Sequence, residues 1–132
     1  MARVTGIGGV FIYSNDAAVL SQWYMRHFGL AFESYDGPHG TICYLEFPSA
    51  DSHVPAGKAT TVFSIMPPES PPLPTRKSPE FRMNYRTPDL PALIAQLREE
   101  GIEVEGPSED FNGMFARTED PDGNAIELFQ AK

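Results

Sequence analysis

The sequence predicts an α+β fold made of two βαβββ modules, on three observations. The same order of elements occurs twice, each copy carries one capped amphipathic helix, and a proline-rich segment separates the copies. The expected organisation is one domain, with module one at about residues 4–66, a linker at 67–79 and module two at about 80–130. A chain of 132 residues is long enough to bury a core without disulfides or structural metals.

Module one opens with the β-rich run Val4 to Ser14. Asn15 and Asp16 are N-cap types, and Leu20, Trp23, Tyr24 and Phe28 then recur at helical spacing, so a helix is expected through about His27. Gly29 suits the left-handed residue that ends helices. Strand-like runs follow at about 30–35, 41–47 and 60–66. Five prolines within the eight residues Pro67 to Pro74 exclude helix and central strand there and imply an extended connector. Module two repeats the order. Phe81 to Arg86 is strand-like, and Thr87-Pro88 introduces a helix from Asp89 to about Glu100 with Leu90, Leu93, Ile94 and Leu97 on one stripe. After Gly101, the alternation Ile102-Glu103-Val104-Glu105 suggests a half-exposed strand, and Met114 to Thr118 and Ala125 to Phe129 complete the set.

A net charge of −8 argues against nucleic acid or an anionic membrane as partner. The single cysteine, Cys43, lies in an apolar run with no basic neighbour, which fits a buried inert thiol and leaves no disulfide or Cys-based zinc site. No signal-type apolar region opens the chain and no run approaches about 20 apolar residues, so a cytoplasmic location is expected.

The most informative segment is Asp120-Pro121-Asp122-Gly123-Asn124, followed at once by Ala125-Ile126-Glu127-Leu128-Phe129. The first five residues build a tight turn, because Pro fixes φ and Gly and Asn tolerate positive φ. The next five read as a mostly buried strand, in which a carboxylate needs a proton, a partner or a metal. This segment, with Trp23-Tyr24 and Phe28-Gly29-Leu30, resembles the vicinal oxygen chelate superfamily of glyoxalase I, bleomycin-resistance proteins and extradiol dioxygenases. The resemblance implies two curved half-barrel modules of mixed sheet enclosing a cavity, with frequent homodimers. It also implies a metal site, with ligands from the first strand of each module, often His, and from the last strand of each, often Glu.

Carried onto this chain, the first-strand positions fall on Gly9 and Arg82, each seven residues before its helix cap (Asp16 and Asp89). The last-strand positions fall on Phe63 or Ser64 in module one and on Glu127 in module two. Glycine has no side chain and arginine no acceptor, so of the four only Glu127 suits a divalent ion, which needs about three or four ligands. No cofactor is therefore expected. Among the histidines, His27 suits the last helical turn and His39 and His53 suit solvated loops.

Arg82 at a former ligand position would turn its charge toward Glu127. It would then tie the two strands together, or reach an anionic or carbonyl oxygen of a ligand, or, with the opposite alternation, face solvent. Asn84 shares the Arg82 face, and Phe11 shares that of Gly9. Glu46, beside Ile42 and Tyr44 by alternation, is either a second functional carboxylate or an exposed one. Phe111, in the loop Glu109 to Phe115, is a candidate rim residue.

Three readings follow from the resemblance. The favoured one is a protein that binds a small organic molecule in the inter-module cavity, with a degenerate metal site. Arg82, Asn84, Phe11, Phe63, Ser64 and Phe111 would then be ligand contacts. The alternative is a lyase, isomerase or dioxygenase-type enzyme in which Glu127 or Glu46 acts as base, with a metal or with Arg82 as oxyanion partner. A third is a structural or regulatory partner that has kept only the fold.

Overall fold

The computed structural model describes residues 5–69 and 81–132. The chain divides into two compact units, each built around an open, curved four-stranded mixed sheet and one helix.

In the first unit β1 (Gly9–Tyr13), α1 (Ala17–Phe28), β2 (Glu33–Gly37), β3 (Gly40–Pro48) and β4 (Thr60–Met66) follow in order. The sheet order is β1-β4-β3-β2, with β1 parallel to β4 and the other pairs antiparallel. The second unit repeats this with β5 (Arg82–Arg86), α2 (Leu90–Glu99), β6 (Glu105–Glu109), β7 (Gly113–Glu119) and β8 (Ala125–Ala131), ordered β5-β8-β7-β6. The duplicated α+β architecture expected from the sequence is therefore present, as open sheets rather than closed barrels. Most of the proline-rich connector lies outside the described residues; Pro67 to Glu69 are the part of it that is described.

The two helices begin in the same way. Ser14 Oγ accepts from the Asp16 N–H at 3.1 Å, and Asp16 Oδ1 accepts from Val19 N–H at 3.1 Å. In α2, Thr87 Oγ1 and Asp89 Oδ1 play these parts toward Asp89 and Ala92, at 3.4 and 3.1 Å. Each cap satisfies a backbone donor that the first turn leaves open. Asp89→Ala is expected to cost about 1 kcal/mol, visible as a lower urea midpoint at unchanged slope. At the other end Gly29 (φ 70°) and Gly101 (φ 85°) take the left-handed conformation. Ile102 N–H reaches Leu97 O and Gly101 N–H reaches Arg98 O, a Schellman closure.

Each helix covers one face of its own sheet. Leu20 and Tyr24 of α1 are buried with Ile12, Cys43, Phe63 and Ile65. Phe63 meets Tyr24 and Phe32 edge-to-face, with ring centroids 5.7 and 5.6 Å apart. In the second unit Leu90, Ile94 and Leu97 are buried with Ala116, Ile126 and Leu128. Burying each Leu, Ile or Phe among these contributes about 1.5–3 kcal/mol. Period-2 alternation sends the remaining residues of the regular strands to the opposite, open face.

One element differs from expectation. Ile102 to Val104 is not a strand; the ladder begins at Glu105 and runs through Gly106-Pro107 to Glu109. Side chains hold the preceding segment instead. Arg98 donates to Val104 O at 2.8 Å and to Gly106 O at 2.9 Å, and Thr118 Oγ1 donates to Glu103 O at 2.7 Å. As an edge strand β6 tolerates a proline, and its register against β7 shifts between Glu105 and Ser108. Among the described residues no helix is long and apolar enough to cross a membrane.

Candidate functional site

The Asp120–Asn124 turn positions the carboxylate of interest. Asp120 is buried; its Oδ1 accepts from the N–H groups of Asp122 and Asn124, both at 2.9 Å, and its Oδ2 from Asn124 Nδ2 at 2.7 Å. Gly123 supplies positive φ, 83°, where the chain reverses. This fixes the β7–β8 register, with Arg117 opposite Glu127 and Phe115 opposite Phe129. Parallel pairing with β5 sets Asn84 opposite Glu127, Arg82 opposite Ala125 and Arg86 opposite Phe129.

Glu127 therefore stands on the open face of the second unit between two donors. Asn84 Nδ2 donates to its Oε1 at 3.0 Å, and Arg117 Nε lies 3.7 Å from its Oε2. The Glu127 side chain is 22% exposed and that of Arg117 57% exposed. Arg82, the partner expected for Glu127, does not take that place. It is exposed and two residues along β5, and among the described residues the ion pair of Glu127 is with Arg117. The expectation matched strand positions, whereas the hydrogen-bond register decides which side chains meet.

Beside this polar row the rings of Phe115 and Phe129 stack, centroids 4.9 Å apart and planes inclined by 24°. An added Cβ at Gly113 would collide with the Gln130 carbonyl oxygen of β8 and come within 3.0 Å of the Phe129 ring, so only glycine allows β7 this close approach. Phe111 is 85% exposed but lies in the β6–β7 hairpin turn, off the sheet face. In that turn Asp110 Oδ1 accepts from the N–H groups of Asn112 and Gly113.

The open face of the first unit has a different character. Phe11 pairs in register with Ser64, and Ser64 with Tyr44. Phe11 is 52% exposed and Ser64 buried. Phe63 points the other way, into the core under α1, so Ser64 holds the place on the open face that Glu127 holds in the second unit. Tyr44 Oη donates to Glu33 Oε2 at 2.9 Å, and the Tyr35 ring meets that of Tyr44 at 5.7 Å. Acceptance by Glu33 holds the Tyr44 phenol above its usual pKa, with further charge from Glu46. Glu46 is exposed, opposite Val62, in a different unit from Glu127.

The donor set does not fit a divalent ion. Gly9, Arg82, Ser64 and Glu127 offer one carboxylate, and that carboxylate is engaged by Asn84 and Arg117. Among the described residues no three or more His, Cys, Asp or Glu side chains are grouped so as to hold a metal. His27 is buried beside Trp23, ring centroids 5.1 Å apart, while His39 and His53 are exposed. Cys43 is buried.

Arg117 and the stacked pair Phe115 and Phe129 are site residues that sequence reasoning missed, and a signal for them existed. Residues equidistant from Asp122 face each other across the β7–β8 hairpin, 117 with 127 and 115 with 129. Centring the hairpin on the Pro-Asp-Gly turn would have found both partners.

Several solved structures share this fold. An antibiotic binding protein, TnmS3 from Streptomyces sp. CB03234, is 25% identical, with a TM-score of 0.71 and all of both chains covered. A glyoxalase/bleomycin resistance protein from the same organism is 26% identical, with a TM-score of 0.66, over 95% of this chain and 100% of that one. An integron cassette protein from the mobile metagenome of V. cholerae shares the fold at 15% identity, with a TM-score of 0.69 over 100% and 99% of the two chains. No curated protein matches the chain. The family model of the Glyoxalase/Bleomycin resistance protein/Dioxygenase superfamily matches residues 6–128, and the chain belongs to that superfamily.

Proposed function

We propose that the protein binds a small organic molecule on the open sheet face of its second unit, through polar and aromatic side chains rather than a metal. The observation that carries this reading is the engagement of Glu127. The one carboxylate left at the family's ligand positions is held by Asn84 and Arg117, beside the stacked pair Phe115 and Phe129. A fixed polar row next to an aromatic surface is what orients a small guest and supplies its contact area. Similarity to an antibiotic binding protein at 25% identity supports binding over turnover.

Calorimetric titration of EDTA-dialysed protein with 2-naphthol, an uncharged bicyclic aromatic, tests it. Binding at about 4 mM or tighter is expected, the weak end of what roughly 0.3 kcal/mol per heavy atom supplies. Binding that requires added zinc, nickel or manganese would overturn the reading. Glu127→Gln releases Arg117 from a half-exposed ion pair, so it is expected to cost less than about 1 kcal/mol of stability while altering naphthol affinity severalfold. Pairing of two copies belongs to the same proposal; sedimentation equilibrium returning only a 14.6 kDa species would remove that part.

A further inference from the structure

The register sorts the charges of the second unit's open face into three rows, of which one has an excess of carboxylate, one is balanced and one has an excess of cation. Asn84, Glu127, Arg117 and Glu105 form one row, holding one cation and two carboxylates. Arg82, Ala125 and Glu119 form a second, with one charge of each sign. Arg86, Phe129, Phe115 and Ser108 form the third, which contains a cation and no carboxylate. Arg86 is exposed, and the carboxylate nearest to it by register, Glu127, is already taken by Asn84 and Arg117.

From this arrangement we infer that the molecule bound is an aryl anion, an aromatic ring bearing a carboxylate or comparable oxyanion, its ring on the Phe115–Phe129 pair and its oxyanion on the guanidinium of Arg86. The inference rests on the binding function proposed above and specifies its ligand class. Adjacent strands lie about 4.8 Å apart, so Arg86 sits one strand from Phe129, directly opposite it in register and on the same face, within a long side chain's reach of the aromatic pair. An aryl ring packs on such a surface at centroid separations of about 4.5–7 Å. A guanidinium presents paired donors that match an oxyanion and stays charged at every working pH. An aryl cation on the same surface would meet Arg86 as a like charge.

Three probes of one shape separate this inference from the reading beneath it: 2-naphthoate, 2-naphthol and 2-naphthylmethylammonium, titrated into EDTA-dialysed protein at low ionic strength. Naphthoate is expected to bind about tenfold more tightly than the ammonium, a difference of about 1.4 kcal/mol. Arg86→Gln should remove that preference while naphthol affinity stays within about twofold. Arg26→Gln, which deletes the same charge from an exposed position on α1, should leave the preference intact. Equal binding of the three probes, or a preference that survives Arg86→Gln, would overturn the anion assignment and leave the binding function standing. Failure of all three to bind would overturn both.

Discussion

Replacing Phe63 by alanine is expected to destabilise the protein by about 3–5 kcal/mol, the range for emptying a packed aromatic site. Its side chain is 1% exposed and meets the rings of Tyr24 and Phe32. It therefore joins α1 and the segment before β2 to the sheet, and a cavity there removes contacts on several sides. The predicted result is a large fall in the urea midpoint without loss of naphthol binding in the fraction that remains folded. A change near zero would mean that the ring is not the core element described, and would return Phe63 to the list of ligand contacts.

Asp120→Ala is the second large effect, expected at about 3 kcal/mol. The carboxylate is buried and accepts from two backbone N–H groups and from the Asn124 amide. Alanine leaves those donors without their acceptor, and each buried donor so exposed costs about 1–3 kcal/mol. This substitution should also weaken ligand binding, because the turn sets the register that brings Arg117 to Glu127. Thermal unfolding alongside a naphthol titration checks both consequences. Intact binding in a strongly destabilised protein would show that the register is held elsewhere.

Local chemistry made much of the fold legible. Asp16 and Asp89 are cap types and do cap, and Gly29 and Gly101 end their helices with positive φ as expected. The stripe Leu90, Ile94 and Leu97 is the buried side of α2. Strand β6 was less legible, because Gly-Pro in its middle resembles a turn and the alternating residues before it are secured by Arg98 and Thr118 rather than by a ladder.

Site residues were legible by face and not by neighbour. Alternation puts Asn84 and Arg82 on one face, but which of them meets Glu127 depends on parallel pairing between strands about 40 residues apart in sequence, information that no local pattern carries. The family's last-strand ligand position, carried over by resemblance, left Phe63 and Ser64 as equal candidates although they face opposite ways; packing of Phe63 against Tyr24 decides between them. Arg117 differs, since its pairing follows from the symmetry of one short hairpin.

Amide NMR of EDTA-dialysed, isotope-labelled protein titrated with 2-naphthoate tests the central claim most directly, because it reports binding and its place together. The account predicts shifts concentrated at Asn84 to Arg86, Phe115 to Arg117 and Glu127 to Phe129, unchanged when zinc or nickel is added afterwards. Shifts that appear only once metal is present, or that fall on other strands, would contradict it.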